Sequence, residues 1–451
     1  MSRAVHANES STQTADQKRN LRRTAWAGVI GSVIEYYDFT LFGLAAAVVF
    51  GPLFFPEADP ATQAISSLLT FAIGYLGRPL GGILFSHFGD RLGRKPMLVM
   101  TLLLMGAATL AIGMLPTYAQ IGVLAPILLA TCRILQGMGA GAEYVGSLVM
   151  MAESGQRSRF GLRVALPGMG VFGGIVIATG VFALIALLPE PALMSWGWRV
   201  PFFASVVTLV VGLWIRTGIH ETEKFQEIRS SGRVVRFPLI EAVREQWREI
   251  LIGFGINGPY LAFSSLTQVY LLTYLTQTLG YPSWFGLTAN LVSSTLAIGM
   301  VPLAGYLGDR LGRRRIWLFG SGVFAVFGIV VFPMFATANE LIIIIAMVFG
   351  ISIGLASMYA TQGAILTALF DPQHRLSAIV LVREPTAALI GGPIPALAAW
   401  LVVRAGGASW PVAALFVIAA VIAAGTVIAA YDRLARVESE DPRRGGAQTQ
   451  Q

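Results

Sequence analysis

Charge is scarce in this chain. Of 451 residues only 12% are Asp, Glu, Lys or Arg, against about 25% in soluble domains, which excludes an ordinary solvated surface. Cysteine is nearly missing: Cys132 stands alone and leaves no intrachain disulfide. Histidine is rare as well. His6, His87, His220 and His374 are scattered without zinc-type spacing, and no nucleophile stands beside a suitable base. No metal site, no cofactor and no enzymatic activity is expected. Gly137, Gly139 and Gly141 follow no strand, so they do not read as a nucleotide-binding loop; close helix packing is the expectation. Filter repeats of an ion channel are missing too.

What is abundant is apolar sequence: 55% of the residues are hydrophobic and the mean hydropathy is +0.68. About 20 apolar residues cross a bilayer as a helix. Twelve such runs start near Thr24, Gln63, Pro96, Ala119, Phe160, Trp198, Glu249, Trp284, Arg315, Leu341, Arg375 and Trp410. A repeat divides them. "FSHFGDRLGRKPML" from Phe85 and "GYLGDRLGRRRIWL" from Gly305 share GDRLGR, about half a chain apart, after the second and eighth runs. The expected fold class is an all-α membrane protein with twelve transmembrane helices in two six-helix pseudo-repeats. The expected organisation is a tail at 1–23, a first bundle at 24–218, a linker at 219–248, a second bundle at 249–432 and a tail at 433–451. The linker should carry a surface helix after Pro238, and the first run should persist as a span, being too long for a signal-peptide core.

Basic residues orient the spans. Lys18, Arg19, Arg22 and Arg23 precede the first run, Arg91, Arg94 and Lys95 follow the second, and Arg157, Arg159 and Arg163 follow the fourth. The loops "GPLFFPEADPAT", "LPTYAQ", "LLPEPALMSWG" and "TLGYPSW" hold no Lys or Arg, and only Arg404 breaks the pattern. Both termini are expected inside. The net charge of +8 then reflects topology and a lipid bilayer as partner, with no nucleic acid.

Seven charges fall within the apolar runs: Glu35 and Asp38 in the first, Arg78 in the second, Arg133 and Glu143 in the fourth, Arg383 and Glu384 in the eleventh. Exposed to lipid each would cost about 2.5–3.5 kcal/mol, so they must face one another or a wet cavity. Asp38, with Glu35 one turn away, is expected to exchange a proton beside Arg133, with Glu143 as relay. Asn257, Tyr260, Ser264 and Gln268 form one polar stripe on the seventh run; a hydrogen-bonded seam and a cavity wall both fit it. Gln136, Tyr359 and Gln362 are similar candidates, and Arg78 fits either a structural or a cavity-facing role. Arg383 is expected to bind a substrate carboxylate, with Glu384 tuning its charge or carrying a proton, or to bridge in support of a kink, because Pro385 disfavours helical geometry at Glu384.

The duplicated motif reads as a gate. In it Gly305 would let helix ends approach, Asp90 and Asp309 would cap or pair, and Arg91, Arg94, Arg310 and Arg313 would face the cytoplasm. Glu153 with Arg157, and Asp371 with Arg375, end the fourth and tenth runs at corresponding places and suggest salt bridges that break as the protein changes state.

"FAIGYLGRPLGGILFSHFGDRLGRKPML" resembles the second helix and following loop of the major facilitator superfamily, in its metabolite:proton symporter branch. "GSVIEYYDFTLFG", "CRILQGMGAGAEYVGS" and "SWGWRVPFFAS" extend the resemblance over nearly the whole chain. It implies two bundles rocking about a central site in a bacterial inner membrane. The chain leaves the family pattern at Ala-Glu-Tyr-Val in the fourth run and at Arg383, Glu384 and Pro385 in the eleventh. The expected function is import of a small organic anion by proton symport with alternating access, by a monomer. The alternatives are a zwitterionic osmolyte (proline or betaine) importer, a drug or metabolite exporter, and a non-transporting receptor on the same fold.

Overall fold

The computed structural model describes residue 26 and residues 29–92, 94–141, 160–217, 238–370 and 375–430. No strand occurs among them, as expected where lipid leaves backbone groups no partner outside their own helix. Twelve apolar helices cross the molecule: α1 (Val29–Val48), α2 (Pro60–Leu92), α3 (Arg94–Met114), α4 (Leu124–Ala140), α5 (Phe160–Ile185) and α6 (Val200–Thr217) form the first six. The second six are α7 (Pro238–Ser265, running on through Leu266–Tyr270, Leu271–Thr273 and Tyr274–Thr278), α8 (Ser283–Leu311), α9 (Arg313–Ala336), α10 (Glu340–Leu369), α11 (Arg375–Thr386, then Ala387–Gly391 and Ile394–Arg404) and α12 (Trp410–Ala429).

Local chemistry sets several boundaries. Asp59 starts α2 by accepting from the amides of Ala61 and Thr62 (3.1 and 3.2 Å) and the Thr62 hydroxyl (2.6 Å). That hydroxyl and those amides hold its carboxyl below the usual range. Asn339 caps α10 by accepting from Leu341 and Ile342. The fourth span begins later than its apolar run does, because Gly122 at φ 60° separates the short helix Tyr118–Ile121 from α4. The helix expected after Pro238 is present, and non-helical backbone at Gln246 (φ −125°, ψ 29°) kinks it away from the seventh span. Pro385, by contrast, does not break the helix at Glu384, which stays helical. The departure comes one residue after Thr386, as a π-helical stretch Ala387–Gly391. Three more π stretches, Leu266–Tyr270, Tyr274–Thr278 and Phe349–Leu355, place all four of those described in the second half.

Glycine governs the approach of α2 to α4. A Cβ on Gly137 would strike the carbonyl oxygen of Gly74, and one on Gly77 or Gly81 would strike the backbone at Ile134 or Met138, so these backbones are in direct contact. Each half has its own aromatic centre. Trp198 meets Phe50, Phe54 and Phe202 edge-on in the first. In the second, Phe263 stacks on Phe324 with centroids 3.8 Å apart. Large apolar side chains such as Trp214 (75% exposed), Ile329 and Val421 point outward, where lipid covers them. The halves meet along α5 with α8 and along α2 with α11.

Candidate functional site

Between the halves lies a cavity of about 60 Å³, measured at the centres of water-sized spheres, where one water needs about 10–15 Å³. α1 contributes Glu35, Tyr36, Phe39 and Thr40, α2 contributes Phe71, Tyr75 and Arg78, and α5 contributes Ile175. From the second half come Tyr260, Leu261, Ser264, Ser265, Gln268 and Val269 of α7, with Arg383 and Ala387 of α11.

Arg78 is the centre of its charges. Its Nε donates to Glu384 Oε2 at 2.8 Å and its Nη2 to Glu35 Oε1 at 3.1 Å, so one guanidinium ties α1 and α2 to α11 across the halves. All three side chains are buried. Glu384 Oε1 has no hydrogen-bond partner among the described residues. Beside this triad, Arg383 Nη2 donates to the Tyr36 hydroxyl at 3.1 Å, a second link between halves. Arg78, Glu35, Arg383, Tyr260 and Ser264 therefore stand on the cavity wall.

Other candidates lie behind that wall. Arg133 is fully buried, its guanidinium 4.4 Å from the Phe39 ring centroid, 4.2 Å from Phe42 and 5.2 Å from Phe71, a cation held on aromatic faces. Its Nη1 donates to Gln136 Oε1, and Gln136 Nε2 donates to Thr109 Oγ1 at 2.8 Å. Asp38 lies within electrostatic reach of Arg133 and beside Thr109, yet no ion pair joins Asp38 to Arg133 among the described residues. The expected partnership is one of field rather than contact, because the aromatic rings and Gln136 surround the guanidinium. Asp38 Oδ1 and Arg133 Nε and Nη2 have no hydrogen-bond partner among the described residues. In the second half Gln362 Nε2 donates to Asn257 Oδ1 (2.9 Å) and Asn257 Nδ2 donates to Thr386 Oγ1. Asn257 and Gln362 thus form the interhelical seam, while Tyr260, Ser264 and Gln268 of the same stripe reach the cavity. Tyr359 packs edge-on against the Tyr260 ring at 5.5 Å.

Sequence reasoning missed Tyr36, Tyr75 and the rings Phe39 and Phe71. The signal was present, since Tyr36, Phe39 and Tyr75 are each within four residues of Glu35 or Arg78 on the same helix.

The second copy of the repeated motif also finds a role across the halves. Asp309 at the end of α8 accepts from the backbone N–H of Gly161 (2.7 Å) and Leu162 (3.0 Å) at the start of α5. Asp309 could cap or pair, and it does both: Arg313 lies 3.9 Å away, while the exposed amides and positive dipole of a helix N-terminus are the stronger attraction here. Gly305 permits the approach, since its Cβ would lie 2.9 Å from that of Ala165. Arg310 sits over the Tyr306 ring and Arg375 Nε donates to the Phe370 carbonyl at 3.3 Å. Glu143, Glu153, Arg157 and Asp371 lie outside the described residues, as do the side chains of Asp90, Arg91 and Arg94. At the opposite end Gln277 Nε2 of α7 donates to the Ala47 carbonyl of α1 at 3.3 Å, so the halves touch on both sides of the cavity.

Asp309→Asn should loosen this clasp. Losing the charge and one acceptor costs about 1–2 kcal/mol, enough to raise the population separated at that end roughly tenfold. Spin-label distances between the start of α5 and the end of α8 should show it; an unchanged distribution rejects the clasp.

The sequence profile described as Major Facilitator Superfamily matches residues 28–383 and 293–450. The chain is 35% identical to the inner membrane metabolite transport protein YhjE of Escherichia coli strain K12, over 83% of this chain and 86% of that one. It is 33% identical to the shikimate transporter of the same strain, over 93% and 95%. The crystal structure of a D-xylose-proton symporter superposes with a TM-score of 0.69 at 18% identity, covering 89% of this chain and 96% of that one, a likeness of fold.

Proposed function

Because this chain belongs to the Major Facilitator Superfamily, whose members compared here are transporters and not enzymes, we propose that it imports a small organic anion together with protons. The observation that carries this reading is the pair of arginines, Arg78 and Arg383, on the wall of a cavity between the two halves. A guanidinium fork suits a carboxylate better than any other side chain does, and buried carboxylates beside it supply places for a proton. The shikimate transporter among the relatives supports an acid as cargo. The location we assign is a bacterial inner membrane with both termini in the cytoplasm, from the distribution of Lys and Arg in the loops. The Asp309 end is then the cytoplasmic gate, and contacts at both ends fit an occluded stage of alternating access.

A zwitterion has one observation in its favour: Glu35 and Glu384 balance Arg78 and Arg383. Against it, three of the aromatic side chains on the wall, Phe39, Phe71 and Tyr75, already face an arginine. Arg78 lies 5.2 Å from the Phe39 centroid and 6.0 Å from that of Tyr75, and Arg133 covers Phe39 and Phe71.

Uptake of labelled shikimate, 2-oxoglutarate and proline into proteoliposomes, under an imposed inward proton gradient, tests the reading. Acid accumulation that a protonophore collapses is the expected result; proline uptake alone, efflux only, or no flux rejects it. Arg383→Lys keeps the charge but loses the fork, and should raise the apparent KM of the transported acid about tenfold, or about 1.4 kcal/mol. Unchanged uptake by well-folded Arg383→Lys and Arg383→Gln would leave Arg383 a structural role and reject it as a substrate ligand.

A further inference from the structure

The geometry points to Glu384 as a resident carboxylate that occupies, on Arg78, the seat a substrate carboxylate takes during transport. The inference rests on the organic-anion reading above and specifies how the site is vacated and what charge of cargo it takes.

Three observations support it. Arg78 is on the cavity wall, and its Nε is held by Glu384 Oε2 at 2.8 Å. Glu384 reaches it from the opposite half, whereas Glu35 comes from the neighbouring helix of the same half. The second oxygen of Glu384 is buried without a hydrogen-bond partner among the described residues, because Glu384 takes one prong of the arginine fork while the neighbouring Nη2 donates to Glu35. Glu384 holds the seat without filling it.

Charge then fixes the exchange. Around Glu384 stand Arg78, which it pairs with, Glu35 on the same guanidinium and Arg383 next to it in the chain; Tyr36, Tyr75 and Tyr260 line the adjoining cavity with them, and Arg133 of α4 lies within electrostatic reach of Tyr75 and Arg78. With both glutamates ionised, Glu35 and Glu384 cancel Arg78 and Arg383. A monocarboxylate entering this set leaves one uncompensated negative charge in a buried site, which is costly. One proton on Glu384 restores neutrality and removes the competitor from Arg78 in the same event. The substrate carboxylate then pairs with Arg78, and the tie from α2 to α11 is broken while the one from Arg78 to Glu35 persists. On release the proton leaves Glu384, which returns to Arg78 and expels the acid. A monocarboxylate thus binds with uptake of one proton, and a dicarboxylate is left one charge out of balance.

The proton is bound in the loaded site and absent from the empty one, so affinity is full at low pH and lost as pH rises. Binding of shikimate, benzoate, 2-oxoglutarate and citrate to the purified full chain between pH 5.5 and 8.5 tests this. For the wild type we expect a monocarboxylate to bind tighter than the diacid and triacid, its affinity falling about tenfold per pH unit on the alkaline side. Glu384→Gln should bind the same acid at least as tightly and with no such slope, and Glu384→Asp should restore the slope. A Glu384→Gln protein with the wild-type slope overturns the assignment while leaving the organic-anion reading standing. A wild type that binds none of the four acids overturns both. Calorimetry on the wild type in buffers of differing ionisation enthalpy needs no variant: one proton taken up per monocarboxylate is expected, and none taken up rejects the exchange.

Discussion

Arg78→Gln should be among the most damaging single substitutions in the molecule. It removes the one cation that Glu35 and Glu384 share and leaves two carboxylates in a buried site. Breaking a buried pair from one side costs about 3–5 kcal/mol, a large part of a typical protein's stability. Thermal unfolding in detergent should show a strong loss at pH 8 and a partial return at pH 5, where protonation neutralises the stranded groups. Because the penalty belongs to the uncompensated charges, Arg78→Gln combined with Glu35→Gln and Glu384→Gln should regain most of the stability, yet not transport. A single variant as stable as the wild type at pH 8 would show that the triad is not the internal tie its distances describe.

Asp38→Asn should act on coupling instead. Asp38 is buried beside Thr109 and in the field of Arg133, off the cavity wall, so replacing its charge should leave acid binding nearly intact. Gradient-driven accumulation should fall a hundredfold or to equilibrium, about 2.7 kcal/mol of lost driving work by the usual conversion, while exchange of labelled for unlabelled acid continues. Accumulation at the wild-type level would remove Asp38 from the proton path.

Much of this arrangement was legible in the sequence, and for definable reasons. Twelve spans follow from apolar length, and two halves from GDRLGR written twice. The cost of charge in lipid required Glu35, Arg78, Arg383 and Glu384 to face inward, and they do. Who meets whom was not legible. Arg78 and Glu384 are 306 residues apart, and helix rotation decides whether Arg133 reaches Asp38 or settles on Phe39, Phe42 and Phe71. Asp309 could be read as a gate residue, but its partner is backbone, the N–H groups of Gly161 and Leu162, and backbone leaves no signature in side-chain identity. The π stretches are likewise unmarked, since they depend on how neighbouring helices absorb an extra residue.

Those stretches carry a consequence for ligand geometry. A π turn holds one more residue than an α turn, so positions beyond it are rotated by about 100° relative to an uninterrupted helix. On α7 the wall residues come in adjacent pairs, Ser264 with Ser265 and Gln268 with Val269, around the π stretch Leu266–Tyr270, whereas α2 presents Phe71, Tyr75 and Arg78 at simple helical spacing. On α1 adjacent pairs also face the cavity, Glu35 with Tyr36 and Phe39 with Thr40, so the duplicated halves differ in chemistry rather than breadth: Ser264, Ser265 and Gln268 on one side, Tyr36, Phe39, Phe71 and Tyr75 on the other. Cargo seated between them has a head and a tail, and turning it end for end would not reproduce the same contacts.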